Sequence, residues 1–440
     1  MIFLLDFFTF MLIFLDGSII IFLKDKIICQ IRKEILMHLT QEYKKMLAPE
    51  ETIRFLQELV QIPSINGQEE AIGLYLHDFF QKHGWESTVY EVEPHRPAVV
   101  ALLHGKHPGK TVMFTTHYDT HVVDNMEIPP FTPDIRDFLL YGRGSCDAKG
   151  SIAAMIMSAL LLWRSGEDFS GTLMLAFVPD EEYLNKGTTW LMEHGITADL
   201  AVVGEPTRMD VGFGHRGCTH LDVITKGKAY HSAYPERGVN AIEKMASVIT
   251  HLRNDFFPHY ENRTHPFLGH PVINLGIITG GTRIHTVADS CTASFLRRDL
   301  PGETTKQILA EIQEYIDSLK TEDPGLQAEV KLSTIQQRIR LPYFIAPDHP
   351  LVQAMAESFR HVTGKEGRKS VMNYYCDASI LCTEHGIPTI IFGPGDIHVA
   401  HSSLEYIDIR ELCDAAYIYA DFALSQLISS AAPEEKEKTL

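Results

Sequence analysis

Two periods of apolar residues alternate along the chain, and together they predict a layered fold. Apolar side chains three and four positions apart, the spacing of one helix face, occur in three segments: 50–61, 68–82 and 151–164. Short runs rich in β-branched and aromatic residues accompany these segments: 98–103, 111–116, 172–178 and 200–203. Because strands alternate with helices, we expect an α/β sandwich with a largely parallel sheet.

A different pattern begins near residue 215. The predicted order of elements is now strand, helix, strand, strand, helix, in the segments 219–225, 240–254, 272–278, 290–297 and 304–319. This order indicates a small α+β unit of the ferredoxin-like kind, inserted into the larger domain. The earlier pattern then resumes with three further elements: a helix from residue 349, a strand at 389–392 and a helix at 409–429.

The first residues are a special case. Residues 1–23 are almost continuously apolar, but Asp6 and Asp16 interrupt the run and no basic residue precedes it. Two interpretations stay open: a marginal membrane anchor, or an over-extended start with Met37 as the true first residue. If the run does insert, the basic residues after it place the remainder in the cytoplasm. Five segments result: an apolar extension (1–36), two parts of the larger domain (37–214 and 332–430), the inserted unit (215–331) and a charged tail (431–440).

Composition narrows the range of partners. The 440 residues include 39 Lys and Arg against 57 Asp and Glu, a formal net charge of −18. This is the wrong sign for binding a phosphate backbone, so nucleic acid is not expected as a partner. Seven cysteines are scattered without CxxC spacing, which fits neither a disulfide framework nor a thiolate zinc site and indicates a reducing compartment. The 22 histidines permit mixed oxygen and nitrogen ligand sets.

Acids and histidines collect at the predicted strand ends. His117 and Asp119 follow the strand 111–116, and if the chain is still extended there, both side chains project to the same side. Asp180, Glu181 and Glu182 follow the strand 172–178. Each motif alone fits a solvated loop. Ligand sites of open α/β sheets, however, gather outside the carboxyl ends of the strands, and this repetition favours such a site.

Three further motifs extend this set. The glycine-rich stretch 142–150 presents Asp147 at a strand-to-helix turn and lacks the spacing of a phosphate-binding loop. Glu205 follows the strand 200–203, and a late Gly-Pro-Gly turn precedes His398 and His401. By contrast, the GxGxxG match at 212–217 precedes a β-rich run and no helix, so we interpret it as a domain hinge and not as a dinucleotide site.

In combination and order, these motifs resemble the dinuclear zinc deacylase and carboxypeptidase family, which includes acetylornithine deacetylase, succinyl-diaminopimelate desuccinylase, aminoacylase and carboxypeptidase G. The resemblance covers residues 49–427. It implies a zinc-exopeptidase-like α/β/α sandwich, with the inserted unit as a lid and dimerisation domain. The resemblance also implies a cis peptide bond between Asp147 and Ala148.

The same resemblance assigns roles at the strand ends. His117 and Glu205 would bind one metal ion, Glu182 and His401 the other, and Asp147 would bridge the two ions. Glu181 would be the general base, and Asp119 would orient a histidine ligand. With oxygen and nitrogen ligands, two divalent ions are expected, zinc first, with cobalt or manganese as substitutes.

In the lid, the resemblance implies substrate contacts. The stretch 227–235 matches a family motif whose histidine, here His231, reaches a substrate oxygen across a dimer. Arg298 matches an arginine that meets a substrate carboxylate, and Asn240 and His285 are further candidates for substrate contacts. The chain departs from the family pattern at three positions: His285 and Ala288, where Asn and Pro are usual, and Leu184, where Gly is common.

Three functions remain to be compared. The first is hydrolysis of an N-acyl amino acid by a deacetylase or desuccinylase type of enzyme, acting as a homodimer in the cytoplasm. The second is a metallo-exopeptidase that cleaves short peptides on the same scaffold. The third is a non-catalytic metal-binding protein, which the acid at Glu181 disfavours because mere metal binding has no use for an unligated carboxylate beside the ions.

Overall fold

The computed structural model describes residues 44–334 and 338–427. The predicted extension (1–36) and charged tail (431–440) therefore lie outside the described residues, and so does the proposed anchor. Among the residues that are described, no helix is both long enough and apolar enough to cross a membrane.

From residue 49 onward, the first part of the larger domain contains the following strands and helices. The strands are β1 (Glu86–Glu93), β2 (Arg96–His104), β3 (His107–His117), β4 (Asp134–Arg136), β5 (Leu139–Tyr141), β6 (Ser170–Val178), β7 (Leu200–Val203) and β8 (Val211–His215). The helices are α1 (Pro49–Val60), α2 (Glu70–Lys82), α3 (Lys149–Ser165) and α4 (Lys186–Glu193).

The inserted unit and the second part of the larger domain complete the described chain. The inserted unit contains β9 (Thr219–Lys226), α5 (Ala241–His251), β10 (Val272–Gly280), β11 (Ser290–Arg298), α6 (Thr305–Ser318) and β12 (Gln327–Leu332). The second part contains β13 (Tyr343–Phe344), α7 (Pro350–Thr363), β14 (Lys369–Met372), β15 (Thr389–Ile391), β16 (Tyr406–Asp408) and α8 (Ile409–Leu427).

The central sheet of the larger domain is mixed. Its order is β1-β2-β6-β3-β7-β15-β8-β13, with β14 also paired to β8. Strands β6, β3, β7 and β15 run parallel, whereas β1 and β2 on one flank and β13 on the other pair antiparallel. The expectation of a largely parallel sheet therefore holds only at the centre. Strand β1 was not predicted because its residues are exposed or half-buried and form no apolar run.

Helices cover both faces of this sheet. On one face α1, α2, α3, α7 and α8 pack into the largest apolar core, and the first fourteen residues of α3 are all buried. On the other face, α4 and the short π-helix Ile380–Glu384 bury a second apolar cluster against the same strands. The result is a three-layer α/β/α sandwich, in agreement with the predicted fold class. Strands β16, β5 and β4 form a separate small sheet.

The inserted unit, called the lid below, is one strand richer than predicted. Its antiparallel sheet has the order β10-β11-β9-β12, and α5 and α6 bury an apolar cluster against it. Strand β12 was missed because it is short, alternates polar and apolar residues, and is mostly exposed. The predicted boundaries also shift, because His215 belongs to β8 of the central sheet and Leu332 to the lid.

The glycine motif at 212–217 is only partly a linker. Its first residues form β8, which pairs with β15 and β13 in the central sheet, so the hinge interpretation is wrong for them. A Cβ atom on Gly212 would lie 2.9 Å from the Cβ of Ile391. The glycine there is explained by close packing of neighbouring strands and not by a phosphate.

Candidate active site

The parallel centre of the sheet brings four chain segments to one edge. Strand β3 ends at His117, and β6 ends two residues before Asp180. Strand β7 ends two residues before Glu205, and β15 precedes the loop that carries His401. Because these strands are neighbours in the order β6-β3-β7-β15, their carboxyl ends meet, although the residues are far apart in sequence.

A first group of donors is fully enclosed. His117, Asp147 and Glu205 each offer one ligand atom, and these atoms all lie within 4.8 Å of one another. The Nε2 atom of His117 is 3.1 Å from Oδ1 of Asp147 and 3.9 Å from Oε1 of Glu205. All three side chains are buried.

A second group lies beside the first and shares Asp147 with it. The Nε2 atom of His401 is 2.7 Å from Oε1 of Glu182 and 3.2 Å from Oδ2 of Asp147. The two oxygens of Asp147 thus face different groups, which is the arrangement of a bridging carboxylate. His121 completes the second group, with a ligand atom within 4.8 Å of those of Glu182 and His401.

His121 was not found by sequence reasoning, which stopped at the HxD triplet. The available signal was a histidine two residues beyond Asp119, on the segment that leaves the same strand end. The loop that carries His401 was placed correctly, and His401 itself adopts a left-handed conformation with φ of 59°.

Asp119 connects the two donor groups through the backbone. Its carboxylate accepts hydrogen bonds from the backbone N–H groups of Glu181 and Glu182, both at 3.1 Å, and from the side chain of Asn66 at 2.9 Å. The Nδ1 atom of His117 lies 2.8 Å from the backbone carbonyl of Asp119 and 3.5 Å from its carboxylate. The orienting contact on His117 is therefore mainly the carbonyl, not the carboxylate that the same-side argument expected.

The loop that carries Asp147 is held by a pair of residues that the sequence did not reveal. Glu405 accepts hydrogen bonds from the backbone N–H groups of Cys146 and Asp147, both at 3.0 Å. Its other oxygen accepts from the guanidinium of Arg143 at 2.6 Å, and both side chains of this ion pair are buried. The peptide bond between Asp147 and Ala148 is cis, as predicted.

Carboxylates outnumber imidazoles in this cluster. Burial disfavours the charged form of His117, but hydrogen bonds to carboxylates outweigh it and raise the pKa of this imidazole well above its ordinary value. Hydrogen bonds to Asp147 and Glu182 raise the pKa of His401 to about 10. Burial raises the pKa of both Glu205 and Glu182. Each of these four shifts favours the protonated form, so a bound cation in place of the protons would compensate the crowded carboxylates.

The donor set fits divalent metal ions. Oε1 of Glu205 is buried and, within the described part of the chain, has no hydrogen-bond partner. An orphaned buried carboxylate oxygen is costly unless a cation or a proton satisfies it. The donors are imidazole nitrogens and carboxylate oxygens, the ligands that zinc and similar ions accept.

A family comparison agrees with this geometry. One family model matches residues 113–425, most of the chain, and it describes peptidase family M20/M25/M40. The chain belongs to this family. The predicted family resemblance and the α/β class are thereby confirmed, and the protein is a hydrolase of the M20 group.

The matches between this chain and individual M20 relatives cover nearly the full length of each relative. N-formyl-4-amino-5-aminomethyl-2-methylpyrimidine deformylase of Halalkalibacterium halodurans is 28% identical over 408 residues, which cover 86% of this chain and 94% of the relative. Acetylornithine deacetylase of Salmonella paratyphi B is 30% identical over 388 residues, covering 83% and 95%. A solved dinuclear metal-binding M20 peptidase of Bacillus subtilis matches with a TM-score of 0.66 at 17% identity, covering 86% and 98%.

Glu181 lies next to the donors of this M20 site but belongs to neither group. Its side chain is half-buried, and Oε1 accepts a long hydrogen bond of 3.4 Å from the amide of Asn185. Burial, together with the neighbouring carboxylates of Asp377 and Glu182, raises the pKa of Glu181 well above its ordinary value. A carboxyl group with a raised pKa can both accept and return a proton.

Among the described residues, the predicted lid residues form no hydrogen bond or ion pair with the M20 donor groups. His231 and His285 are exposed, on two lid segments joined by a hydrogen bond of 3.1 Å from the N–H of Ser232 to the carbonyl of His285. The Asn240 side chain caps α5 by accepting from the N–H of Ile242 at 3.0 Å. The guanidinium of Arg298 donates a hydrogen bond to Sγ of Cys218. Their predicted substrate contacts remain predictions.

Proposed function

We propose that this M20 hydrolase is a two-metal amidohydrolase that removes a small acyl group from the nitrogen of an amino acid or a related amine. The observation that carries the proposal is the position of Asp147, with one oxygen toward each donor group and Glu181 unligated beside them. A binding protein would need the donors alone. An acid that neither group uses is what hydrolysis adds.

The metal positions follow from the two donor groups. His117 and Glu205 would hold one ion, Glu182 and His401 the other, and Asp147 both. When bound, the two ions supply a water of lowered pKa and polarise the scissile carbonyl. We propose zinc as the native metal, since the donors are nitrogen and oxygen, with cobalt and manganese as substitutes.

Glu181 carries the proton in the proposed reaction. Its carboxylate accepts a proton from the water as the new C–O bond forms. It then returns this proton to the nitrogen of the departing amine as the C–N bond breaks. Asp119 positions this group indirectly, because its carboxylate accepts from the backbone N–H of Glu181 at 3.1 Å. His231 would donate a hydrogen bond to the oxyanion of the tetrahedral intermediate.

Two substrate classes are compared. The deacylase hypothesis is supported by two relatives that are named as a deformylase and a deacetylase. The match to this chain covers more than nine-tenths of each relative's length. N-acetyl, N-formyl and N-succinyl amino acids are the substrates to test under this reading. The exopeptidase hypothesis, with dipeptides as substrates, is supported by the solved M20 peptidase of the same fold.

We also propose a homodimer that forms through the lid. Strand β10 is an edge of the lid sheet, and Ile277 and Ile278 on it are about half exposed, at 49% and 52%. An unpaired edge strand with exposed apolar residues is a liability that a second copy would cover. A partner could then bring His231 to the edge of the central sheet that carries the proposed metal ligands, called the metal edge below. The cysteine pattern supports a cytoplasmic setting for this enzyme.

A substrate screen tests the proposal. The zinc-loaded protein is assayed with N-acetyl, N-formyl and N-succinyl amino acids and with dipeptides, while apo protein and the Glu181→Gln variant serve as controls. We expect amine release from at least one N-acyl class with kcat/KM at least tenfold above that of any dipeptide. Preference for dipeptides would establish the exopeptidase instead, and activity that survives in both controls would exclude the two-metal reaction.

A further inference from the structure

We propose that His121 is an additional protein ligand of the second metal position, beside Glu182 and His401. The proposal rests on the two-metal function proposed above and adds to it a residue outside the strand-end motifs. It makes the two metal positions unequal, with one imidazole in the first and two in the second.

Thr120, the residue before His121, is held in place by backbone hydrogen bonds. The backbone N–H of Thr120 donates to the carbonyl of Ser64 at 2.8 Å, and its carbonyl accepts from the N–H of Asn66 at 3.1 Å. Thr120 is also completely buried. His121 therefore starts from a fixed backbone position only two residues after Asp119.

The geometry of the second group admits one ion among three side chains. The rings of His121 and His401 are stacked, with centroids 4.4 Å apart and planes inclined by 17°. One donor atom of each imidazole and one oxygen of Glu182 lie within 4.8 Å of one another. Atoms that bind one zinc ion at about 2.1 Å are separated by roughly 3 to 4 Å, which is close to the separation within this group.

Within the described residues, no other group competes with a metal ion for the imidazole of His121. The ring of His121 is half-buried, and among residues 44–334 and 338–427 no hydrogen bond to it is found. His401, in contrast, contacts both Glu182 and Asp147. A half-buried imidazole at a carboxylate cluster, stacked on a proposed ligand and free of competing hydrogen bonds, is available to bind the same ion.

The extra imidazole has a chemical consequence. With His121 included, the second position offers two nitrogens and the oxygens of Glu182 and Asp147. Nitrogen donors favour zinc and cobalt over manganese and magnesium. We therefore expect the second position to discriminate more strongly for zinc over manganese than the first position, which has one imidazole and two carboxylates.

Metal titration of full-length apo protein tests the proposal. Co²⁺ is titrated into wild type, His121→Ala and the control His104→Ala, which removes an exposed imidazole from the end of β2. We expect wild type and control to bind two ions with the same affinities. We expect His121→Ala to bind its second ion at least tenfold more weakly and to lose part of the cobalt absorption. Equal thermal melting of the three apo proteins shows that the fold is retained.

X-ray absorption of the zinc-saturated proteins gives a second readout that is independent of turnover. Three imidazoles shared by two ions correspond to about 1.5 per zinc in wild type and about 1 in His121→Ala. An unchanged second-ion affinity and imidazole count, with a raised KM, would overturn the proposal and make His121 a substrate contact. Wild type that binds only one ion would overturn the two-metal function itself, so the two failures are distinguishable.

Discussion

The metal edge of the sheet and the outer loops of the lid are built in opposite ways. His117, Asp147 and Glu205 are buried and are positioned by strand ends, backbone hydrogen bonds and a buried ion pair. His231 and His285 are exposed, and the contacts of their segments are with each other. The proposed metal ligands thus meet within one chain, whereas His231 and His285 form no hydrogen bond with them among the described residues.

This difference indicates how the two halves would respond to change. Side chains at the metal edge have support from several elements, so altering one support is expected to disturb the others. The two lid segments are joined by the bridge between His231 and Thr286 and by the hydrogen bond from Val287 N–H to the Tyr230 carbonyl at 2.8 Å. They are expected to move as one unit, without effect on metal binding.

The largest effect is expected from Glu181→Gln at the metal edge. The amide cannot take up the proton of the attacking water, so kcat should fall by about 10² to 10⁴ while both ions and the fold are retained. Steady-state kinetics and metal analysis on the same sample measure this. If the ions were lost together with activity, Glu181 would be a ligand and the assignment within the acidic triplet would be wrong.

Loss of a support at the same edge should cost stability instead. Glu405→Ala leaves the guanidinium of Arg143 buried without its partner and two backbone N–H groups without an acceptor. Removing one partner of a buried ion pair costs about 3 to 5 kcal/mol, and we expect a loss of this size in urea unfolding, together with weaker metal retention. Glu405→Gln keeps an acceptor and should lose less. Equal stability of both variants and wild type would contradict this role.

The lid half should be separable from the metal half. His231→Ala is expected to lower kcat by about 10² to 10³, the usual effect of losing one oxyanion donor, and to leave metal content unchanged. Mixing inactive His231→Ala with inactive Glu181→Ala should restore activity, because a mixed dimer contains one site with both groups. Subunit exchange without any recovered activity would show that His231 does not act on the partner's site.

The smallest effect concerns His215, the last residue of β8, which lies at the junction between the larger domain and the lid. Burial lowers the pKa of this imidazole to about 4, against 6.5 as its ordinary value. Above pH 6.5 the imidazole is neutral in both the folded and unfolded states. As the pH falls toward 4, only the unfolded chain takes up the proton, so stability decreases, by about 2 kcal/mol between pH 7.5 and 5.

Urea unfolding of apo protein at both pH values measures this effect. His215→Phe is the matched variant, because it retains a ring beside Tyr343 and Tyr375, whose centroids lie 5.3 and 5.1 Å away. The difference in the free energy of unfolding between wild type and variant should be small at pH 7.5 and larger at pH 5. The same pH dependence in both proteins would assign the acid sensitivity to other groups.

The clustering of acids and histidines at the strand ends was easier to predict from the sequence than the residues that support it, for a physical reason. His117, Glu182 and Glu205 follow apolar strands, and the parallel arrangement at the centre of the sheet brings such strand ends together regardless of sequence distance. Arg143 and Glu405 are 262 residues apart, and nothing local marks them as partners. His121 was missed because its relevance depends on the position of His401, which only the fold determines.

The edges of the sheets were also beyond sequence reasoning. Strands β1 and β12 have exposed or half-buried residues in place of a continuous apolar run, and their pairing is decided by neighbours already in the sheet. The lid residues raise the same difficulty in a stronger form. Their proposed target lies on another copy of the chain, which a single sequence does not place.

Anomalous X-ray scattering at the zinc edge, from crystals of the zinc-loaded protein, tests the central claim most directly. Two peaks are predicted on opposite sides of Asp147, one beside His117 and Glu205 and the other beside Glu182 and His401. A single peak, or two peaks that do not share Asp147, would contradict the two-metal centre on which the proposed reaction depends.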